Sequence, residues 1–319
     1  MRHAHVRRST FLSTMGAMTA LPPALSAQAL TKVRIAGTPD QDMIGSFWAQ
    51  QSGIFQKYGI DADVTTLTSG AAITAAVVGG SLDIGRSSLF GLIAARAKGV
   101  PFVLVASSIL YNSAKPNSAL IVANDSPIRT GRDLNDATVA VSALGDFYAV
   151  MDSAWIDSHG GDSRRVHYVE IPGRTAADAV SSGRVAATTL ADPMLSQMLA
   201  TGRFRILDHP FNAAANVFVL TAYFCTADYA AKNAGVLTRF RRALTESVAF
   251  VNAHRPAVLP VMSKYTGVDE ATLAAMSPIP LAAPGRLDSA LIQPLIDVAV
   301  KYKVIDHGFA AKEMIDPAL

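Results

Sequence analysis

Small polar residues recur in this chain wherever the sequence predicts that a strand hands over to a helix: Thr38-Pro39-Asp40, Ser69-Gly70-Ala71, Ser87-Ser88, Ser142-Ala143-Leu144-Gly145 and Gly173-Arg174-Thr175. Backbone N–H groups at a helix start lack intrahelical acceptors, and small side chains let a ligand approach them. Such places hold a carboxylate, sulfonate or phosphate. Each cluster alone is equally well an N-cap or a tight turn, but five of them at one edge point to a binding site. Phe147 and Tyr148 follow the Ser142 loop and offer faces that stack on a ring, with core packing as the alternative. Asp192, at the carboxyl end of a predicted strand, is placed to accept hydrogen bonds from an amine or amide, or to cap the next helix. Arg174 supplies a cation for an anionic ligand or is a solvated surface residue, while Trp48, Trp155 and Asp83 read as structural.

The sequence offers no catalytic or metal constellation to set beside these loops. Its histidines beyond the N-terminal region stand at 159, 167, 209, 254 and 307, without the His-x-x-x-His spacing of a zinc site. There is no Gly-x-Ser-x-Gly elbow and no phosphate loop ending in Gly-Lys-Ser/Thr. The expectation is a site with no catalytic residue, no metal and no cofactor.

The loops sit on a duplicated frame. Gly70 to Leu82 aligns without a gap on Gly173 to Val185, and the offset of 103 residues is the same for Gly70 and Gly173 as for Gly80 and Gly183. Upstream, Val33-Arg-Ile35 before Thr38-Pro39-Asp40 matches Val139-Ala-Val141 before Leu144-Gly145-Asp146, and helical segments around Trp48 and Trp155 end at Gly53 and Gly160. Each copy therefore reads strand, polar loop, helix, strand, Gly-led helix, strand, an α/β unit with a parallel sheet. Such sheets take ligands outside the carboxyl ends of their strands, so two facing copies make a cleft. In detail, the pattern predicts a helix over Met43–Tyr58 capped by Gly59, and a helix over Ala71–Val78 capped by Ser69. It predicts a helix over Phe147–His159 and a return of the chain to the first lobe over Val217–Thr226. A helix over Leu237–Asn252 is expected to end at His254-Arg255-Pro256, followed by short helices near Asp269–Met276 and Ser289–Tyr302.

With 319 residues, half of them apolar, the chain is long enough for two domains. Residues 1–29 read as a secretory signal peptide: Arg2, Arg7 and Arg8 precede an apolar run from Phe11 to Leu25, and Ala27-Gln28-Ala29 is a small-residue cleavage pattern. Arg7-Arg8-Ser9-Thr10-Phe11-Leu12 also resembles a twin-arginine export signal with one extra residue, so both export routes stay open. Pro22-Pro23 interrupts the run, and it is shorter than the roughly 20 residues that span a bilayer. Removing three arginines with this leader leaves 25 basic residues against 25 acidic ones, so a nucleic-acid partner loses its electrostatic support. The cluster Arg239, Arg241 and Arg242 reads as a solvated helix face. Cys225 is alone, so no intramolecular disulfide forms, and no cysteine at the cleavage site offers a lipid attachment point.

Gly53-Ile-Phe-Gln-Lys-Tyr-Gly-Ile60-Asp-Ala-Asp-Val64, then Ser69-Gly70, then Gly80-Ser-Leu-Asp83-Ile-Gly85, resembles the substrate-binding proteins of ABC importers of the nitrate, sulfonate and taurine type, which include binders of thiamine-precursor pyrimidines. Arg132-Asp133-Leu134 and Asp192-Pro193 extend the resemblance through the second copy. The resemblance implies an α/β, type II periplasmic binding protein fold: two α/β lobes, a hinge of two crossovers near Asn112 and Asn212, and a central cleft. Lobe 1 is expected over 30–114 and 214–319 and lobe 2 over 115–213. The candidate ligand contacts are Thr38, Pro39, Asp40, Ser69, Gly70, Ala71, Ser87, Ser88, Ser142, Leu144, Gly145, Phe147, Arg174 and Asp192. The implied protein is a periplasmic monomer, neither lipid-anchored nor an enzyme. It captures a small organic anion or zwitterion (a sulfonate, carboxylate or pyrimidine-like solute) by hinge closure and docks transiently on a membrane ABC permease. The alternative is an enzyme of the same fold acting on a small pyrimidine-like or anionic metabolite. Relatives that are enzymes of pyrimidine synthesis use clustered cysteines and an active-site histidine, which the single Cys225 does not match. The shared motifs are scaffold motifs and do not name the solute.

Overall fold

The computed structural model describes residues 1, 29–171, 173–192, 194–276, 281–282 and 287–318. The signal-peptide reading, and Pro193 at the start of a helix, thus fall almost wholly outside the described residues.

Among the described residues ten strands form two sheets. The first contains β1 (Thr31–Gly37), β2 (Ile60–Thr66), β3 (Ile84–Ser88) and β4 (Phe102–Asn112). The second contains β5 (Ser118–Ala123), β6 (Thr138–Val141), β7 (His167–Glu170), β8 (Ala187–Ala191) and β9 (Phe204–Asp208). Strand β10 (Val217–Thr226) then returns to the first sheet. The orders are β2-β1-β3-β10-β4 and β7-β6-β8-β5-β9, one topology written twice. The sheets are not all-parallel as the repeat suggested. β10 runs against β3 and β4, and β5 runs against β8 and β9. Each is the first strand entered after the chain changes sheets, reached without the long crossover that parallel pairing needs.

The two passages between sheets, 113–117 and 209–216, are tied together: the Ser113 N–H donates to the Asn216 carbonyl at 2.8 Å and the Tyr111 hydroxyl to Asn212 Oδ1 at 2.7 Å.

Helices cover both faces of each sheet, as strands buried on two sides require. On one face of the first sheet lie α1 (Ile44–Gln51) and α2 (Ile54–Lys57), and on the other α3 (Gly70–Val78) and α4 (Leu89–Ala97). The second sheet carries α5 (Phe147–Ser158) on one face, with α6 (Gly173–Ser181) and α7 (Met194–Leu199) on the other. After β10 come α8 (Ala227–Lys232), α9 (Ala234–Ala253), α10 (Arg255–Thr266), α11 (Glu270–Ala275) and α12 (Gln293–Lys301). The helix expected over Met43–Tyr58 is two pieces, because Gly53 takes φ 79° and turns the chain between them. His254-Arg255-Pro256 ends α9 but also starts α10, since proline in a first helical turn sacrifices no hydrogen bond. Among the described residues no helix is long and apolar enough to cross a membrane.

Three polar assignments concern the frame. Asp83 is structural: its carboxylate accepts from the Arg34 N–H at 2.8 Å and from Nε and Nη2 at 3.0 and 2.7 Å, stapling the approach to β3 against β1. The arginine cluster on α9 is not simply a solvated face. Arg239 Nη2 donates to Thr31 Oγ1 at 3.0 Å, and Arg241 lies 3.8 Å from the buried Asp316 carboxylate, so only Arg242 is exposed. Cys225 has no exposed surface, and burial pushes its thiol up to about 12, which makes it a packing residue.

Candidate functional site

The carboxyl ends of the parallel strands in both sheets open onto one cavity of about 640 Å³, within the range of small-molecule sites. Thr38, Pro39, Asp40, Gly70, Ser87 and Ser88 line it from the first lobe, and Gly145, Phe147 and Asp192 from the second. Five other sequence candidates do not line it. Ser69 turns its hydroxyl back to accept from the Ala72 N–H at 3.2 Å, capping α3, and Ala71 is exposed on the first turn. Ser142 donates to the Asp146 carboxylate, Leu144 is exposed with its N–H on Glu170 Oε1 at 2.8 Å, and exposed Arg174 reaches Gln197 Oε1 at 3.1 Å.

The first lobe contributes a buried ion cluster that the sequence reading passed over. Arg86, in β3 between Gly85 and Ser87, is 2% exposed. Its Nη2 donates to the Asp40 carboxylate and to Thr38 Oγ1 at 3.2 Å, and its Nη1 to Asp42 Oδ2 at 3.5 Å. Asp42 also accepts from Thr221 Oγ1 on β10 at 3.0 Å. Burial opposes the guanidinium charge, but Asp40 and Asp42 outweigh it and hold the Arg86 pKa above its ordinary value. Burial first, then the Asp40 charge, raises Asp42 to about 6 despite the opposing pull of Arg86 and Thr221. The usable signal for this cluster was an arginine inside an otherwise buried strand, since buried arginines require partners.

The second lobe contributes an aromatic wall at the start of α5. Asp146 caps the helix, accepting from the Ala149 N–H at 2.8 Å. Phe147 and Tyr148 line the cavity and also pack together with Phe90 and Phe211. Ring centroids are 4.6 Å apart for Phe147–Phe211, 5.4 Å for Phe90–Phe147 and 5.6 Å for Tyr148–Phe211. Burial lifts the Tyr148 hydroxyl to about 12, and Asp146, Asp42, Asp152 and Asp40 add to the shift, so acids of both lobes are felt there. Asp192 likewise does two things, lining the cavity and accepting from the Ser196 N–H and hydroxyl at 3.0 and 2.6 Å. Asn117, at one interlobe passage, lines the cavity with its Oδ1 buried and without a donor. Trp155 is a packing residue whose Nε1 donates to Asp208 Oδ2 at 2.7 Å, and Trp48 stacks on Phe250 at 4.8 Å. Thr266, Val268, Leu273 and Met276, in and around α10 and α11, complete the apolar rim; nothing in their sequence marked them.

The family described as NMT1/THI5 like matches residues 40–257, well over half of the chain. The chain belongs to the NMT1/THI5-like family. This NMT1/THI5-like protein has no match among curated proteins. Among solved structures it is similar to the periplasmic aliphatic sulphonate binding protein SsuA from Escherichia coli, with a TM-score of 0.76 and 21% identity over 89% of this chain and 91% of that one. It is also similar to the alkanesulfonate-binding protein SsuA from Xanthomonas axonopodis pv. citri bound to MOPS (TM-score 0.71, 16% identity, 89% and 98% covered). A third is the periplasmic nitrate-binding protein NrtA from Synechocystis PCC 6803 (TM-score 0.69, 14% identity, 91% and 86% covered). At these identities the likeness is one of fold, and the NMT1/THI5-like chain has the two α/β lobes of the periplasmic binding protein fold.

Proposed function

We propose that this protein is the solute-binding component of an ABC-type importer, an exported periplasmic receptor that closes on a small organic molecule and then docks on a membrane permease. The observation that carries the reading is the cavity itself, which draws polar and aromatic residues from both lobes onto one space. A solute there touches both walls only when the lobes are together, so its binding free energy favours the closed form. The lobes also meet directly at both ends of α5: the Tyr302 hydroxyl at the end of α12 donates to Asp157 Oδ2 at 2.8 Å, and Phe90 packs on Phe147 at the other end. The sulfonate- and nitrate-binding proteins that share the fold support the receptor class, and residues 1–29 read as the export leader. Cleft residues Thr38, Pro39, Asp40, Gly70, Ser87, Ser88, Gly145, Phe147 and Asp192 are the proposed contacts.

The test is a thermal-shift screen of the mature chain with amines, amino acids, sulfonates, carboxylates, nitrate and pyrimidines, followed by X-ray scattering with each hit. A ligand at 100 times its Kd adds about 2.7 kcal/mol. The expected result is saturable binding that leaves the solute chemically unchanged and compacts the protein. Turnover of a hit, or hits that leave the scattering profile unchanged, would overturn the reading.

A further inference from the structure

We infer that the solute this cleft retains carries a positively charged nitrogen, held against Asp40 and Asp42, with an apolar or aromatic body lying on Phe147 and Tyr148. The inference rests on the receptor reading above and chooses among the solutes that reading admits.

The charges come first. Ionised side chains lining the cavity are Asp40, Asp42, Asp146 and Asp192 against Arg86, with no lysine or histidine among the described lining residues. Four carboxylates and one guanidinium leave the lining with three excess negative charges at neutral pH. Arg86 offers an anion little: its side chain is 3% exposed, both terminal nitrogens are engaged by Asp40, Asp42 and Thr38, and its one unpartnered donor, Nε, is buried. A sulfonate or carboxylate that seeks that guanidinium displaces a carboxylate from it or lies beside Asp40 and Asp42, where like charges repel.

Helix dipoles are the opposing consideration, because N-termini favour anions. Those of α5 and α7 already have carboxylates, Asp146 and Asp192, as caps. The start of α3 is capped by Ser69, and α4 begins after Ser88 without a side-chain cap. One anionic or acceptor group can be accommodated beside Ser87 and Ser88, which suits a zwitterion. Nothing there offsets the remaining carboxylates for a solute that is only an anion.

Two further features demand a cation or a donor. Phe147 and Tyr148, both half-buried, line the same space, and aromatic rings attract cations. Asn117 Oδ1 is buried in the lining with no donor, an acceptor that an ammonium or amidinium N–H satisfies and a sulfonate does not.

The experiment compares solutes of one body and different charge: phenethylamine, phenylalanine, 3-phenylpropionate and 2-phenylethanesulfonate, by calorimetry and thermal shift on the mature chain at pH 7.5 and low salt, alongside the broader classes named above. The amine or the zwitterion is expected to bind at least tenfold more tightly than either anion. Asp40→Asn, at a half-exposed position, is expected to weaken that binding about tenfold with a folded unliganded protein; Asp42→Asn is expected to weaken it about tenfold as well, with a lower unliganded melting temperature because Arg86 and Thr221 lose a charged partner. Anions binding as tightly as the amine, or variants that leave amine affinity unchanged, overturn the inference. Binding by anions alone overturns it while leaving the receptor reading intact, and failure of every class overturns both.

Discussion

Asp152 sits in the middle of α5 with no exposed surface; Thr189 donates to its Oδ1, and its Oδ2 has no partner. Burial above all lifts its pKa to about 8, Thr189 opposes the shift, and Asp146 adds to it. In the unfolded chain the same carboxyl titrates near its ordinary value, about 3.9. Between roughly pH 4 and pH 8 the folded protein therefore binds more protons than the unfolded chain, so stability falls as pH rises through that window and is level above it. At about 1.4 kcal/mol per pKa unit the full fall is on the order of 5 kcal/mol. Asp152→Asn keeps an oxygen for Thr189 and removes the ionisation. The variant should match the parent within about 1 kcal/mol near pH 4 and exceed it by several kcal/mol at pH 8. Urea unfolding of parent and variant at pH 4.5, 6 and 8 measures this, because the other titrating groups cancel in the difference. A difference that stays constant from pH 4.5 to 8 would show that Asp152 ionises in the fold as freely as outside it, and would refute the reasoning.

Three further outcomes are expected. Gly70→Leu directs a side chain at the Ser87 hydroxyl, which must rotate away, and into the cavity, so it should abolish solute-induced thermal shifts with a modest fall in the unliganded melting temperature, since Gly70 itself has ordinary helical backbone. Tyr302→Phe removes the hydroxyl that bridges to Asp157; solute affinity should fall severalfold, and scattering of the unliganded protein should shift toward a larger radius of gyration. Asp42, raised to about 6, gains a proton as pH falls through that value, so the affinity for phenethylamine should decline between pH 7.5 and 5 in the parent and stay flatter in Asp42→Asn, read by calorimetry.

The duplicated frame was legible because it is written in glycines and apolar periodicity. Gly53, Gly59, Gly80 and Gly183 all take positive φ, and Ser69 caps α3 as its place before an apolar helix implies. The direction of β5 and β10 was not legible, because an apolar strand carries no mark of parallel or antiparallel pairing. The loops that line the cavity were legible only by place. Thr38 and Ser87 line the cavity, but Ser142 and Ser69 point their hydroxyls into local capping bonds, and a serine's rotamer is not written in its neighbours. Arg86 and Asp42 were missed because they lie 44 residues apart and meet only when β3 closes against the turn after β1. Asn117 and the α10–α11 rim come from connections whose composition is that of ordinary loops and helices.

The repeat also explains why the two halves of the cleft differ in character. Its offset places Arg86 in β3 opposite Thr189 in β8, and the strands confirm the equivalence: Arg86 pairs with Tyr223 of β10 as Thr189 pairs with Leu120 of β5. In one lobe the position holds a buried cation compensated by Asp40 and Asp42; in the other it holds a hydroxyl that donates to a buried, protonated Asp152. A charge in both places would set two ion clusters facing each other across a narrowing gap, with a desolvation cost on each side at closure. With charge confined to the first lobe, the second can present Phe147 and Tyr148, whose burial becomes more favourable as water leaves. Closure then brings an aromatic wall down on an ionic floor. In the proposed binding mode the floor sets the sign of the solute's charge and the wall the apolar shape beside it, so changes at Asp40 or Asp42 should alter which charge is accepted, and changes at Phe147 should alter which body is.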